Sequence, residues 1–169
     1  MSENPYTSVT KLQHIPDKLK VPDGNVLLLR AYGKGVQKYV CTASATGPKF
    51  SSPVPHAILF KDDRDEGDLV AIHFEGPAWE ALDGSSVVGD AASVKRAPAP
   101  DPDGVDWLLL PAKSHGGSGL LSQVTYIQRL FTDGGKPPAS GCDQAYEHAE
   151  VLVEYSAQYF FYGPSTKQQ

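Results

Sequence analysis

Fourteen prolines and sixteen glycines are scattered along 169 residues, so few uninterrupted stretches exceed about ten residues, and this punctuation constrains the fold more than any other feature. Proline in a helix interior removes a hydrogen-bond donor and clashes with the preceding turn, and glycine forfeits backbone entropy there. Short extended segments joined by tight turns tolerate both. The chain is therefore expected to be all-β, a single-domain β-sandwich or flattened barrel of about eight or nine strands with long loops. A chain of this length can bury roughly 68–70% of its unfolded surface around one core. The expected division is an N-terminal extension at 1–18, one β domain at 19–163 and a C-terminal tail at 164–169.

Alternation supports the β assignment. In Leu69-Val-Ala-Ile-His-Phe-Glu75 the bulky apolar Val70, Ile72 and Phe74 share one face, expected to be core, while His73 and Glu75 share the other, expected to be presented. In the run 151–162, Val151, Val153, Tyr155, Ala157, Tyr159 and Phe161 share a face, as in a long central strand. Further strands are expected at 26–31, 37–42, 57–61, 86–89 and 107–112, bounded by Gly, Pro or Asp-rich turns. Segment 121–131 is ambiguous: Leu120, Val124, Ile127 and Phe131 have helical spacing, but Val124-Thr-Tyr-Ile127 is β-rich in composition, and strand is favoured.

The net charge is −5, from 15 basic and 20 acidic residues, which gives no field toward phosphate backbones or anionic lipid, so no nucleic-acid partner is expected. The longest apolar runs, such as Val26-Leu-Leu-Leu29, fall far short of the roughly 20 residues of a membrane span. The N-terminus as written, Met1-Ser-Glu-Asn-Pro5, lacks the charged and apolar regions of a secretory signal. Cys41 and Cys142 are an even pair, compatible with one bridge or with two buried thiols.

The densest cluster of chemistry-bearing side chains is His73-Phe-Glu-Gly-Pro-Ala-Trp-Glu-Ala-Leu-Asp-Gly-Ser-Ser-Val87. His73 and Glu75 leave one strand face and form a fragment of a metal site, for which a third ligand would have to come from His56, His115, Glu80 or Asp83; the metal stays unknown. Trp79 is expected to serve the core, or else to form a sugar-stacking platform flanked by Glu80 and Asp83, whose carboxylates would accept from hydroxyls. Gly76-Pro77 and Asp83-Gly-Ser85 read as turns. The ligand-binding candidates are thus His73, Glu75, Trp79, Glu80 and Asp83.

No catalytic residue is assigned. There is no Gly-x-Ser-x-Gly elbow, and the acids offer no spacing diagnostic of a glycosidase. Ser114-His-Gly-Gly-Ser-Gly119 lacks the Lys-Ser/Thr ending of a phosphate loop, and no cofactor is expected. Lys61-Asp-Asp-Arg-Asp-Glu-Gly-Asp68 has calcium-loop composition without EF-hand spacing and is expected to be a hairpin turn. Three functions follow in order: a non-enzymatic binding or surface protein with a glycan or cell-wall ligand, a hydrolytic or metal-assisted enzyme using His73, Glu75 and Asp83, and a structural or effector-like secreted protein. Unpaired edge strands would also allow a homo-oligomer.

Several blocks taken together are similar to a known family: Gly35-Val-Gln-Lys-Tyr-Val-Cys41, His73-Phe-Glu-Gly-Pro-Ala-Trp-Glu80, Asp83-Gly-Ser85, Trp107-Leu-Leu-Leu110, Ile127-Gln-Arg129, Thr132-Asp-Gly-Gly135, Gly141-Cys142 and Tyr155-Ser-Ala-Gln-Tyr-Phe-Phe-Tyr162. In this order, from Leu19 to Tyr162, they resemble the domain-of-unknown-function family 3455. The resemblance implies a fungal or bacterial protein, usually secreted, with Cys41 and Cys142 joined as a disulfide. The absence of a signal in the sequence as written sets secretion against a cytoplasmic or processed form. Some fungal members carry a malate-dehydrogenase-like label, and this chain has neither the Gly-x-Gly-x-x-Gly turn nor the βαβ alternation that a nicotinamide-dependent dehydrogenase needs.

Overall fold

The computed structural model describes residues 14–62 and 67–165. Its strands are β1 (Asn25–Thr42), β2 (Lys49–Phe50), β3 (Val54–Lys61), β4 (Leu69–Phe74), β5 (Ala78–Ala81), β6 (Ser86–Gly89), β7 (Lys95–Ala97), β8 (Trp107–Gly116), β9 (Tyr126–Gly134) and β10 (Glu150–Pro164). Helical structure among the described residues is limited to three 3-10 turns of three residues each. All ten strands belong to one antiparallel sheet, and the all-β expectation holds.

The sheet returns on itself. β1 pairs with β3 along one side and with β10 along the other, from Asn25↔Pro164 to Val40↔Glu150. The circuit β1-β3-β4-β5-β6-β8-β9-β10 is thus a ring of eight strands, with β2 and β7 attached outside it. Of the two expected architectures, this single ring-like sheet is nearer the flattened barrel than two packed sheets.

The expected strands at 26–31 and 37–42 are one strand, β1. Gly33 and Gly35 between them do not make a turn; they allow close approach. A Cβ at Gly33 would lie 2.6 Å from Cε2 of Tyr159, and one at Gly35 would lie 2.1 Å from the His56 carbonyl oxygen. In segment 121–131 the strand begins at Tyr126, and Leu121 and Val124 are buried in the turn before it. Opposite Ala157 the β9–β10 register shifts, and Phe131 takes a positive φ of 52°. The expected turn at 61–68 lies partly outside the described residues.

The faces of β10 are as expected, with Tyr155, Ala157, Tyr159 and Phe161 all buried. Those of β4 are reversed from Ala71 onward, while Val70, beside a register shift with β3, packs against the core as expected. Ala71 and His73 face the interior, and Ile72 is 41% exposed. The ring is narrow, and its interior alternates large rings with small residues: Ala31, Ala57, Ala71, Ala81 and Ala157 leave room for Trp79, Tyr159 and Phe161. A bulky Ile72 turned inward would compete for that space, so volume outweighs hydrophobicity at this strand.

A second cluster covers the outside of the ring at β8. Trp107, Leu109 and Leu130 pack there with Leu19 and Ala97, partly covered by Ile15 and Val21. The run Trp107-Leu-Leu-Leu110 is therefore buried on both faces, which is why it lacks polar alternation. Cys41, near the end of β1, is disulfide-bonded to Cys142 in the β9–β10 connection, with Cα atoms 5.4 Å apart. The bridge fastens that long connection where the ladder continues through Cys41 N–H to the Ala149 carbonyl and His148 N–H to the Cys41 carbonyl.

Candidate functional site

The two ends of the ring interior differ. One is filled by Leu29, Leu59, Val87, Leu121, Val124, Ile127 and Phe161. The other holds a pocket of about 550 Å³. That volume lies within the roughly 300–1,000 Å³ of small-molecule sites. Its interior wall carries Gln37 from β1, His73 from β4, Trp79 from β5, Leu108 and Leu110 from β8, Arg129 from β9 and Tyr159 from β10. Its mouth is formed by 51–55 ahead of and within β3, the Glu75-Gly-Pro77 turn, and Ala91, Val94 and Arg96.

Register explains the convergence. Cross-strand partners share a face of a sheet, and the pairs His73↔Trp79, Leu108↔Arg129 and Arg129↔Tyr159 carry inward-facing side chains from strand to strand around the ring. His73 and Trp79 are stacked, their ring centroids 4.2 Å apart and their planes 7° from parallel. Tyr159 meets both edge-on, at 5.3 Å and 5.8 Å. Its hydroxyl lies 2.9 Å from that of Tyr155.

His73 is a neutral group. Burial in this aromatic setting pushes its pKa down to about 3, against the hydrogen bond to the Ala78 carbonyl, which favours the proton, while the charge of Arg129 adds to the lowering. The Nδ1 to Ala78 oxygen distance is 2.8 Å, and since a carbonyl can only accept, Nδ1 carries the hydrogen and Nε2 is the free acceptor. Burial likewise raises the Tyr155 and Tyr159 phenols, so both stay protonated at neutral pH.

Arg129 brings a permanent positive charge into this end of the ring. Its Nε and Nη2 donate to the Asp106 carbonyl oxygen at 3.0 and 2.7 Å. Among the described residues no carboxylate is within ion-pair distance of it. Two further polar atoms of pocket-lining residues are buried without a hydrogen-bond partner, Gln37 Oε1 and Trp79 Nε1. Leaving such groups unsatisfied costs about 1–3 kcal/mol each.

The five residues singled out from the sequence do not converge. His73 and Trp79, only 3% and 1% exposed, line the pocket as a stacked pair, and Glu75 stands at its mouth. Glu80 is exposed opposite Ile72 on the outer face of the sheet. Asp83 is a clasp: it accepts from Ser85 N–H at 3.0 Å, Ser85 Oγ at 2.6 Å and Leu120 N–H at 2.7 Å, tying the β5–β6 turn to the loop before β9. These bonds, that of the Ser85 hydroxyl first, hold its pKa below the usual carboxylate value. Trp79 offers no open stacking platform, because it is enclosed and His73 covers one face. Among the described residues no group of three or more His, Cys, Asp or Glu is placed to hold a metal ion.

Gln37, Arg129 and Tyr159 are the pocket residues that reading the sequence for dense polar clusters passes over. A usable signal was present: Gln37 shares parity with Tyr39 and Cys41, and Arg129 with Ile127, so each is a polar residue on the apolar face of its strand.

Residues 22–163 match the profile of a family described as "Protein of unknown function (DUF3455)". No curated protein and no solved structure matches the chain.

Proposed function

We propose that this chain, which belongs to the DUF3455 family, is a non-enzymatic binding protein whose small-molecule ligand enters the open end of the ring. The observation that carries this reading is the pairing of a cavity of about 550 Å³ with two buried, unpartnered polar atoms on its lining residues, Gln37 Oε1 and Trp79 Nε1. Buried polar groups are almost always paired, and a ligand or water in the cavity would pair them. Carbohydrate, the ligand class expected from exposed Trp, Tyr, Asp, Glu and Gln side chains, would have to enter this cavity rather than stack on an open face of Trp79. The hydrolytic alternative would need His73 and Asp83 to act together, and Asp83 is engaged by Ser85 and Leu120.

A fragment screen followed by NMR tests the reading. Fragments that bind should move the indole Nε1–H resonance of Trp79, identified through Trp79→Phe, and should lose that effect in Val94→Trp, which fills the mouth. Hits that leave this resonance unmoved, or that survive the blocking substitution, would overturn it.

A further inference from the structure

The charge distribution of the same pocket narrows the ligand class. The protein as a whole is acidic, with a net charge of −5, yet the interior of the pocket holds one cation, Arg129, and no anion. At the mouth, Arg96 and Glu75 oppose one another in charge. His73 adds none, because burial keeps it neutral at neutral pH. We propose, resting on the pocket reading above, that the ligand is a small organic monocarboxylate with an apolar body, its carboxylate held by Arg129.

The guanidinium is oriented for this. Nε and one hydrogen of Nη2 go to the Asp106 carbonyl, and the guanidinium also shares a side-chain hydrogen bond with the Tyr159 hydroxyl, which leaves two N–H groups for a ligand. Donors of a permanent cation suit the acceptor oxygens of a carboxylate. The Asp106 contact also fixes the plane of the guanidinium, so little freedom remains to be lost on binding. A single interior charge suits a monoanion better than a dianion, whose second charge would be desolvated without a partner. Leu108, Leu110, Val94 and Pro77 supply the apolar wall for the body of the ligand. Trp79 Nε1–H is a further donor, and a hydroxyl on the ligand would serve Gln37 Oε1 and the free Nε2 of His73.

Matched acid and amide pairs separate this inference from the reading on which it rests. The purified protein is titrated with 4-hydroxybenzoate against 4-hydroxybenzamide, and with hexanoate against hexanamide, following the Trp79 indole resonance. The acids should bind at least about tenfold more tightly than their amides. Arg129→Gln should erase that preference and Arg129→Lys should retain part of it. The comparison within the wild type needs no variant to fold. Equal affinity for acid and amide would overturn the carboxylate assignment while leaving the pocket reading in place. No shift with these four compounds or with any fragment of the screen would overturn both.

Discussion

Burying a neutral histidine in the ring makes the protein sensitive to mild acid, and the size of the effect follows from the environment of His73. Unfolded, this side chain titrates near 6.5; folded, burial holds its pKa at about 3. For a base whose folded pKa lies below its unfolded value, the unfolded chain binds the proton first. Stability is therefore unaffected well above pH 6.5 and falls as pH drops from there toward 3. The slope approaches about 1.4 kcal/mol per pH unit below 6.5, so lowering the pH from 7 to 5 costs about 2 kcal/mol. For a domain of this size that corresponds to about 4–8 °C in Tm. The exposed Asp83 clasp contributes little here, because a carboxylate with a lowered pKa loses its stabilisation only in more acidic solution. The assay is denaturant unfolding at pH 7 and pH 5 for the wild type and for His73→Asn, whose amide nitrogen can replace the Nδ1 donor to Ala78 without a titrating ring. The variant, lacking the stack on Trp79, should be less stable at both pH values, but it should lose about 2 kcal/mol less between them. Equal losses in the two proteins would refute the argument, since His73 would then be accommodated as a cation.

Three further outcomes are expected. Gly33→Ala drives a methyl into the Tyr159 ring and should destabilise by about 1–3 kcal/mol in chemical denaturation, with the Tyr159 ring resonances displaced. Replacing Cys41 and Cys142 together by serine opens a loop of 101 residues, for which chain entropy sets an upper figure of about 4.7 kcal/mol; the denaturation midpoint measures the loss, and an unchanged midpoint would show that the bridge adds nothing to the β1–β10 ladder. Asp83→Ala should speed hydrogen exchange at the Leu120 and Ser85 amides while leaving that of Ile127 unchanged. Because the pKa of Asp83 is lowered on folding, the same loosening should appear in the wild type only in acid, as pH falls through its folded value.

The fold was legible where local chemistry is decisive. The turn residues bounded β6 at 86–89 and marked the Asp83-Gly84-Ser85 turn, in which Gly84 takes a φ of +91°. The period-two pattern of β10 named its buried face, because that strand carries its large rings inward and little competes for the position. The candidate site was half legible. A dense polar segment drew attention to His73 and Trp79, which do line the pocket, and equally to Glu80 and Asp83, which face solvent and a loop; nothing in the spacing tells those apart.

What the sequence determined by itself is the repertoire: short strands, the positions of most turns, and two faces for each strand. Which face of β4 turns inward was decided by the closed ring, whose narrow interior already holds Trp79, Tyr159 and Phe161 and accepts Ala71 where hydrophobicity alone favours Ile72. Closure also made the pocket. Gln37, His73, Arg129 and Tyr159 lie on four strands spread through the chain, and only the pairing of β1 with β10, a long-range closure that no local pattern encodes, brings them to one cavity.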